Sequence, residues 1–362
     1  PTRRSSDLFV SPHGFGHAAR AAASLTALAA RLPGLEVELF TTVPEWFFAE
    51  SLPCPFVRHA VVSDVGLVQR SAVEEDPAAT RERLAAFWPP APAEVDRLAA
   101  RLAGRGCRAV LTDISPLGLV VGRAAGLPTL LVESFTWEWI YADYLDAEPG
   151  LAPFAAAFGA LYADAPRRLR AEPFCGEAPG RPISPIARPT RATPAATRAR
   201  LGIPPDRALV LVSMGGVPWR FGDLTPWRRL GQVDFVVPGG AAAERREGNL
   251  LLLPHHTPVH HPDLVAAADL VVGKLGYSTV VEAARAGTRF AYLPRPRFRE
   301  SEVLAAWVEA RLPALRLAPE ALAGTAWLAT LPELLARPRP APLPIRGAEE
   351  VAAELATLLG PA

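Results

Sequence analysis

The chain has 362 residues, half of them hydrophobic, with a formal net charge of +1 and three cysteines. This much apolar sequence predicts two domains of ordinary size. The near-zero charge argues against nucleic acid as a partner, and the cysteines lack the CxxC spacing of a disulfide framework or zinc site. No apolar run reaches the roughly 18 residues of a membrane span, so we expect a cytoplasmic protein with at most peripheral membrane contact. Composition leaves the oligomeric state open.

The first eight residues, PTRRSSDL, correspond to the translation of a common sequencing-library adapter. We interpret segment 1–8 as a cloning or assembly artefact and leave it out of the fold prediction. The alternative is a genuine polar N-terminus. Under the artefact interpretation the true start of the chain is missing, and a signal peptide is not excluded.

Short apolar runs alternate with helical segments along the rest of the chain, which predicts parallel sheets with helices on both faces. The first series of predicted strands is Leu8–Ser11, Val37–Thr42, Phe56–Val62, Arg108–Ile114 and Thr129–Glu133. The second series is Ala208–Ser213, Asp234–Val237, Leu250–Leu253, Leu270–Val272 and Phe290–Leu293. The predicted helices are Ala18–Leu32, Pro262–Ala267, Thr279–Ala286, Glu302–Arg311, Pro319–Leu335 and Ala348–Leu359.

This order predicts an α/β protein with two doubly wound, Rossmann-like domains. Residues 9–175 form the first domain, the proline- and arginine-rich segment 176–193 a linker, and residues 194–345 the second domain. Residues 346–360 form a last helix that we expect to pack back on the first domain. Ligands of such sheets bind at the carboxyl ends of the strands, and we expect the two domains to face a central cleft.

A glycine-rich turn follows the first strand, with the sequence Ser-Pro-His-Gly-Phe-Gly-His from Ser11 to His17. Its glycines permit close backbone approach, and the helix after it presents free N–H groups to an anion. His13 and His17 titrate near neutrality, so one of them can act as a general base. The alternative is a tight turn whose histidines serve as helix caps.

Asp113 ends a buried strand, where side chains face the ligand crevice. It is a candidate to orient the catalytic histidine. The alternative is an N-cap for the helix that begins at Pro116, a role that Ser115 can also fill.

The aromatic segment Phe135–Tyr144 is a candidate site for a hydroxyl-bearing substrate, the acceptor of a transferred group, because aromatic faces stack on sugar rings and carboxylates bind hydroxyls. We assign Phe15, Trp137, Glu138 and Tyr141 to acceptor binding. Packing of a helix against the sheet edge is the alternative.

The strongest motif is the segment Asp269–Ala283, with sequence DLVVGKLGYSTVVEA. A strand leads through a loop holding Lys274 and Gly276 to a predicted helix start, which suits a diphosphate at the helix N-terminus. Lys274 is the one lysine of the chain. Glu282 can accept both hydroxyls of a ribose, or it can form a capping box with the hydroxyl residues Ser278 or Thr279. Gly215 and Gly216 form a second turn suited to phosphate.

Four histidines cluster in the loop 254–262: His255, His256, His260 and His261. Without nearby cysteines or paired carboxylates they do not indicate a catalytic metal, and we assign no metal or cofactor. Their expected role is to line the base or sugar pocket, or to shape the loop.

The segments His13–Arg20, Ser134–Tyr141, Gly273–Ala283 and Pro344–Ala348 resemble the N-terminal glycosyltransferase-like domain of plant L-arabinokinases. The second half also resembles family 28 glycosyltransferases, which include the bacterial lipid II N-acetylglucosaminyltransferase. The resemblance implies a GT-B fold, a UDP-sugar donor bound by the second domain, an acceptor bound by the first, and no metal. The sequence has no glycine- and serine-rich ATP loop of a sugar kinase, so kinase activity is not implied.

The resemblance also assigns roles to individual residues. His17 matches the histidine of the family's first loop, and Glu282 matches the ribose-binding glutamate. Gly215 and Gly216 match the donor-phosphate glycines. The residues that fall where the family binds the donor sugar are Arg295, Glu300 and Glu302.

Three functions fit this pattern. An inverting glycosyltransferase would use His17 as base, supported by Asp113. A nucleotide-sugar sensor would use the same pocket without catalysis, and a GT-B epimerase would act on the nucleotide sugar without an acceptor. Fold alone does not decide between them.

Overall fold

The computed structural model describes residues 4–71, 73–216, 219, 221–318, 320 and 324–360. These residues divide into two compact units. The first unit comprises the described residues up to Val68, Glu75–Ala187, and those from Ile345 onwards. The second comprises Gln69–Glu74 and Arg188–Pro344. Each unit is built on a seven-stranded sheet. The sequence predicted a sheet in each domain, with five strands in each series.

The sheet of the first unit has the strand order β3-β2-β1-β6-β7-β8-β9, and all its neighbouring strands run parallel. Its strands are β1 (Arg4–Val10), β2 (Leu35–Phe40), β3 (Phe56–His59), β6 (Cys107–Asp113), β7 (Thr129–Glu133), β8 (Arg168–Ala171) and β9 (Arg181–Ile183). Its helices are α1 (Phe15–Arg31), α2 (Glu45–Ser51), α3 (Pro77–Phe87), α4 (Pro92–Gly104), α5 (Pro116–Ala124), α6 (Trp137–Tyr141), α7 (Ala152–Ala163) and α14 (Gly347–Leu359). A separate pair of short strands is formed by β4 (Gln69–Ser71) and β5 (Glu74–Glu75).

The sheet of the second unit has the order β12-β13-β11-β10-β14-β15-β16, parallel except for the β12–β13 pair at one edge. Its strands are β10 (Ala208–Ser213), β11 (Val233–Pro238), β12 (Arg245–Glu247), β13 (Leu250–Leu253), β14 (Leu270–Lys274), β15 (Arg289–Leu293) and β16 (Ala314–Arg316). Its helices are α8 (Pro194–Arg200), α9 (Thr225–Arg228), α10 (His261–Ala267), α11 (Tyr277–Ala286), α12 (Glu300–Glu309) and α13 (Leu331–Ala336).

Several predicted boundaries shift. Residues 4–8, set aside as an artefact, belong to β1, where their backbone pairs with β2 and β6. The segment 176–193 is not a plain linker, because Arg181–Ile183 pairs with β8 as an edge strand. The helix predicted at Pro319–Leu335 begins outside the described residues; within them a 3₁₀ turn at Ala326–Thr330 leads into α13.

Each sheet has a buried apolar centre. Phe9 and Phe40 stack at 4.6 Å in the first unit, and Trp227 packs against Trp327 at 5.1 Å in the second. The last helix, α14, lies against α1 of the first unit. In the part of the chain that the structure describes, no helix combines the length and apolar character needed to cross a membrane.

In both units the order reverses beside the first strand, so β1 lies between β2 and β6, and β10 between β11 and β14. Such a switch point opens a crevice at the carboxyl ends of the central strands. The glycine-rich turns of the sequence follow β1 and β10 and therefore lie at these two positions.

Candidate active site

The switch point of the first unit brings His17 to Asp113. His17 lies in the first turn of α1, which begins directly after Gly14 turns the chain with a φ of 72°. Asp113 ends β6 and is the register partner of Val10 in β1. The Nδ1 atom of His17 lies 2.8 Å from Oδ1 of Asp113, and both side chains are buried. The N-cap of α5 is Ser115, so the capping alternative for Asp113 is excluded.

Arg20 completes this arrangement. It is three residues from His17 on α1 and therefore shares its face. Its Nε donates to Oδ2 of Asp113 at 2.7 Å and its Nη2 to Oδ1 at 2.5 Å. Its Nη1 donates to Oγ of Ser134 at 2.7 Å. We call His17, Asp113, Arg20 and Ser134 the base cluster.

The charges of the base cluster fix the tautomer of His17. Burial alone would raise the pKa of Asp113, but the Arg20 charge and the hydrogen bonds from Arg20 and His17 outweigh it and lower that pKa. Asp113 is thus a carboxylate that only accepts, so Nδ1 of His17 carries the hydrogen. The Arg20 Nη2 atom, 3.2 Å from Nδ1, then donates to the carboxylate rather than to the ring.

The same environment keeps His17 neutral. Burial lowers its pKa, Arg20 lowers it further, and Asp113 compensates only in part. The lone pair of Nε2 is therefore available, and no hydrogen bond to Nε2 occurs among the described residues. A neutral imidazole with an oriented, open nitrogen is what a general base requires.

His13 has a different setting. Its ring contacts Trp137 edge to face at 5.3 Å. A Cβ on Gly66, whose φ is +62°, would approach Nδ1 of His13 to 2.9 Å. His13 is thus packed between α6 and the loop at Gly66, which favours a role in ordering the turn.

The structure corrects two of the acceptor-binding assignments. Trp137 and Tyr141 are fully buried, at 0% exposure, and stack on each other at 5.8 Å. Trp137 donates its Nε1–H to Asp64, and Tyr141 donates to the carbonyl of Gly66 at 2.9 Å. The two rings are one turn apart on α6 and share a face that packs inward. They therefore support the loop at Asp64 and Gly66 and do not offer an exposed surface on which a sugar could stack.

The other two acceptor candidates keep some exposure. Phe15 is half-buried and contacts Trp46 and Phe47. Glu138 is half-buried and accepts a hydrogen bond from the Thr136 hydroxyl at 2.6 Å, and burial raises its pKa.

The switch point of the second unit gathers the predicted phosphate-binding residues. Strands β10 and β14 lie side by side, with Ser213 opposite Gly273. The turn after β10 has Gly215 and Gly216 at φ values of +64° and +85°. A Cβ on Gly215 would lie 3.5 Å from Cε of Lys274, and one on Gly276 would lie 3.8 Å from it. The lysine side chain thus lies beside both glycines.

The helix start differs from the prediction. Helix α11 begins at Tyr277, and its N-cap is Gly276, with no side-chain cap. Ser278 and Thr279 are therefore inside the first turn, and the capping-box alternative for Glu282 is excluded. The N-terminal N–H groups of α11 follow the Lys274 loop directly, as an anion site requires.

Glu282 is buried and holds two partners. Its Oε1 accepts from Nε of Arg188 at 3.0 Å, and its Oε2 lies 2.9 Å from Nδ1 of His261. Burial alone would raise the pKa of Glu282, but Arg188 and His261 outweigh it and lower that pKa. Nε2 of His261 lies 3.0 Å from Oγ of Ser213. We call Arg188, Glu282, His261 and Ser213 the relay.

The three donor-sugar candidates separate in the structure. Arg295 follows β15 and is buried, with its guanidinium 3.6 Å from the centre of the Phe298 ring. Glu300 is buried at the start of α12. Glu302 is exposed and binds Arg316 at 2.7 Å. Two helix positions differ by about 200°, so the two glutamates cannot share a face. Glu302 therefore lies on a different side of α12 from Glu300, and its assignment to donor binding stays a prediction.

The loop histidines are not grouped around a metal position. Nε2 of His260 lies 3.2 Å from the carbonyl of Pro189, and His261 belongs to the relay. Among the described residues, no three His, Cys, Asp or Glu side chains are placed to hold a metal ion.

Sequence reasoning missed Arg20, Asp64 and Arg188. Arg20 was recoverable, because a spacing of three places it beside His17 on one helix face. Arg188 lies in the segment predicted to be a linker, and Asp64 is a single carboxyl in an irregular loop. Neither residue is therefore part of a sequence pattern that indicates a functional role.

Comparison with known proteins finds a relative in sequence. No protein-family model matches the chain. L-arabinokinase of Arabidopsis thaliana is 27% identical over 308 residues, which cover 82% of this chain. The chain spans only 29% of that relative's length.

Solved structures match nearly the whole chain. The glycosyltransferase of kitacinnamycin has a TM-score of 0.62 at 16% identity and covers 99% of this chain and 95% of its own. A UDP-glucosyltransferase from Polygonum tinctorium has a TM-score of 0.60 at 13% identity and covers 99% of both chains. The glycosyltransferase VinC, solved with dTDP, has a TM-score of 0.60 at 15% identity, and the match covers 98% of this chain and 95% of VinC. The predicted fold class is therefore confirmed: the chain has the GT-B glycosyltransferase fold.

Proposed function

We propose that this protein is a glycosyltransferase that moves a sugar from a nucleotide-sugar donor to an acceptor hydroxyl, with inversion and without a metal ion. The observation that carries the proposal is the hydrogen bond between His17 and Asp113, which leaves Nε2 of a neutral imidazole open. The likeness to glycosyltransferases in fold, and to L-arabinokinase in sequence, supports it.

The proposed reaction is a single displacement. Nε2 of His17 takes the proton of the acceptor hydroxyl while the hydroxyl oxygen attacks the anomeric carbon. The bond from that carbon to the diphosphate oxygen breaks, and its electron pair leaves with the nucleoside diphosphate. Attack opposite to the leaving group inverts the anomeric centre. Asp113 stabilises the imidazolium that forms, and the proton then passes to water.

The second unit would hold the donor. Lys274, the N–H groups of the first turn of α11 and the open backbone at Gly215 and Gly216 suit a diphosphate, whose charge grows as the sugar leaves. Lys274 supplies the positive charge that other enzymes draw from a metal. Ser278 and Thr279 add hydroxyl donors in the same turn.

The nucleoside and the sugar would be held beside the diphosphate. A carboxylate has about four acceptor positions, and Arg188 and His261 occupy two of those of Glu282, so a ribose diol would take the remaining ones. Arg295 and Glu300, on the neighbouring β15–α12 connection, would bind the donor sugar. We expect UDP as the carrier, and dTDP, present in VinC, is the natural competitor.

A ligand screen tests the donor proposal. A ligand that binds only the folded state raises the melting temperature, so UDP and UDP-sugars should raise it with or without a chelator. ADP and GDP serve as controls and should have smaller effects. A strict requirement for magnesium, or equal effects of all nucleotides, would contradict the proposal.

Two alternatives give different outcomes. A nucleotide-sugar sensor would bind UDP-sugars without releasing UDP in the presence of any acceptor. An epimerase would change the sugar without an acceptor, which analysis of the recovered nucleotide sugar would reveal.

A further inference from the structure

A continuous set of buried and partly buried hydrogen bonds runs through the switch point of the second unit. It begins at Arg188, passes through both oxygens of Glu282, crosses the imidazole of His261 and ends at the Ser213 hydroxyl. The side chains of Arg188 and Glu282 are 9% and 2% exposed, and Ser213 is 4% exposed. Ser213 immediately precedes the turn that holds Gly215 and Gly216.

The direction of the last hydrogen bond depends on the proton count of His261. Glu282 is a carboxylate and only accepts, so Nδ1 of His261 carries a hydrogen in either state. When the imidazole is neutral, Nε2 has a lone pair and the Ser213 hydroxyl donates to it. When the imidazole is charged, Nε2–H donates to Ser213, and the hydroxyl hydrogen of Ser213 is free to turn to another acceptor.

We propose that Ser213 and His261 position the donor diphosphate, with His261 taking up a proton as the diphosphate binds. This inference rests on the proposed donor role of the second unit. The bound state would then gain a hydrogen bond from Ser213 and a positive charge from His261. Glu282 would link this step to the nucleoside, because the same carboxylate orients His261.

Charged groups lie on the elements around His261. Glu282 on α11 faces Nδ1, and Arg188 partly neutralises it. Asp263, on the same helix as His261, is buried, and its Oδ1 accepts from the backbone N–H groups of Arg191 and Ala192. Lys274 lies beside Gly215, in the turn that Ser213 precedes, so a diphosphate bound at this turn would bring negative charge close to His261.

Calorimetry with UDP tests the proposal directly. Titrations at about pH 6 and about pH 8, in buffers of different ionisation enthalpy, measure the number of protons taken up on binding. The terminal phosphate of UDP titrates in the same range, so the comparison is with His261→Gln, which keeps a donor near Ser213 but cannot hold a proton. The unmutated chain should take up more protons than H261Q, and its gain in affinity from pH 8 to pH 6 should exceed that of H261Q by about tenfold, the effect of one charge-assisted hydrogen bond.

A matched control is the neighbouring histidine. Burial, with Arg188 and Arg191, lowers the pKa of His260 to about 4, so it stays neutral over this pH range. His260→Gln should therefore keep the proton uptake of the unmutated chain. Melting temperatures of all variants check that each one folds.

Ser213→Ala provides a second variant. In the proposed scheme the serine hydroxyl reaches the diphosphate only when His261 is charged. S213A should therefore weaken UDP binding by about threefold to tenfold at pH 6 and have little effect at pH 8.

The outcomes separate this inference from the proposed function. Equal proton uptake by the unmutated chain and H261Q, or an equal effect of S213A at both pH values, would overturn the inference and leave the donor site intact. If UDP does not bind the unmutated chain at all, the proposed donor site fails and the inference fails with it.

Discussion

Both units place a histidine against a buried carboxylate that is also bound by an arginine, yet the two histidines differ at the second ring nitrogen. In the base cluster, Nδ1 of His17 binds Asp113, and no described residue forms a hydrogen bond to Nε2. In the relay, Nδ1 of His261 binds Glu282, and Nε2 binds Ser213. The first arrangement is suited to proton transfer with a substrate, and the second to orienting a neighbouring group.

The position of the arginine sharpens the difference. Arg20 binds both oxygens of Asp113 and lies close to His17, so it lowers the pKa of the histidine together with that of the carboxyl. Arg188 binds the Glu282 oxygen that His261 does not use. The base cluster is therefore arranged to keep its imidazole neutral, whereas in the relay the arginine binds the carboxylate oxygen that faces away from the imidazole.

Removing the proposed base should have the largest effect. His17→Ala should reduce transfer by about 100- to 10,000-fold, the usual contribution of a general base. UDP affinity should change little, because the donor residues belong to the second unit. His13→Ala is the comparison variant and should have a smaller effect, since His13 is packed against Gly66 and Trp137. If His13→Ala abolishes transfer and His17→Ala does not, the base is His13.

Substitutions of the two carboxylates, Asp113 and Glu282, should impair different steps, transfer in the first case and UDP binding in the second. Asp113→Asn should lower the transfer rate by about 100-fold or more, because the amide no longer selects the tautomer of His17, while UDP affinity is kept. Glu282→Ala should weaken UDP binding by about 1.5–3 kcal/mol, the range for hydrogen bonds to a charged group. Rates and calorimetry on both variants make the comparison. A loss of UDP affinity in Asp113→Asn, with none in Glu282→Ala, would contradict it.

Acid should destabilise the folded chain through these carboxylates. The pKa of Glu282 is about 2 in the folded state, below its ordinary value near 4. Its stabilising contribution is therefore present above about pH 4 and is lost as the pH falls toward 2. Urea unfolding of the unmutated chain and Glu282→Gln should show a difference in free energy of roughly 3 kcal/mol near neutral pH that shrinks toward pH 3. A difference that is independent of pH would show that Glu282 is not charged in the folded protein.

The smallest expected effect concerns the single lysine. Lys274→Arg keeps the charge, but the planar guanidinium is bulkier than an ammonium group and must fit beside Gly215 and Gly276. We expect UDP binding to weaken about threefold to tenfold, as measured by calorimetry, with no change in the melting temperature. Lys274→Met serves as the control that removes the charge, and it should bind UDP more weakly than Lys274→Arg does. Full affinity in Lys274→Arg would show that any cation suffices at this position.

The sequence predicted the sheets well, because buried parallel strands are apolar runs whose ends are marked by glycine, proline or charge. Thr129–Glu133, Ala208–Ser213 and Leu250–Leu253 have the predicted bounds. The edge strand Arg181–Ile183 was missed, since its charged and proline residues do not alternate as in a half-buried strand.

The candidate site was predictable only where chemistry follows a strand directly. His17, Asp113 and Glu282 lie in or beside turns that the strand pattern locates. Trp137 and Tyr141 were placed in the acceptor site because aromatic residues suit sugars, but burial depends on which face of α6 meets the loop at Gly66, and a single sequence does not specify that contact.

One experiment that follows transfer and stereochemistry together tests whether His17 is the base of an inverting transfer. The unmutated chain and His17→Ala are incubated with UDP-sugars and a panel of hydroxyl acceptors in a chelator, and the released UDP and the anomeric configuration of the product are measured by NMR spectroscopy. We predict that the unmutated chain releases UDP only when an acceptor is present and forms a product of inverted configuration. The His17→Ala variant should release UDP at a rate lower by about 100-fold or more, although it still binds UDP. Retention of configuration, or equal rates for the two proteins, would contradict this mechanism.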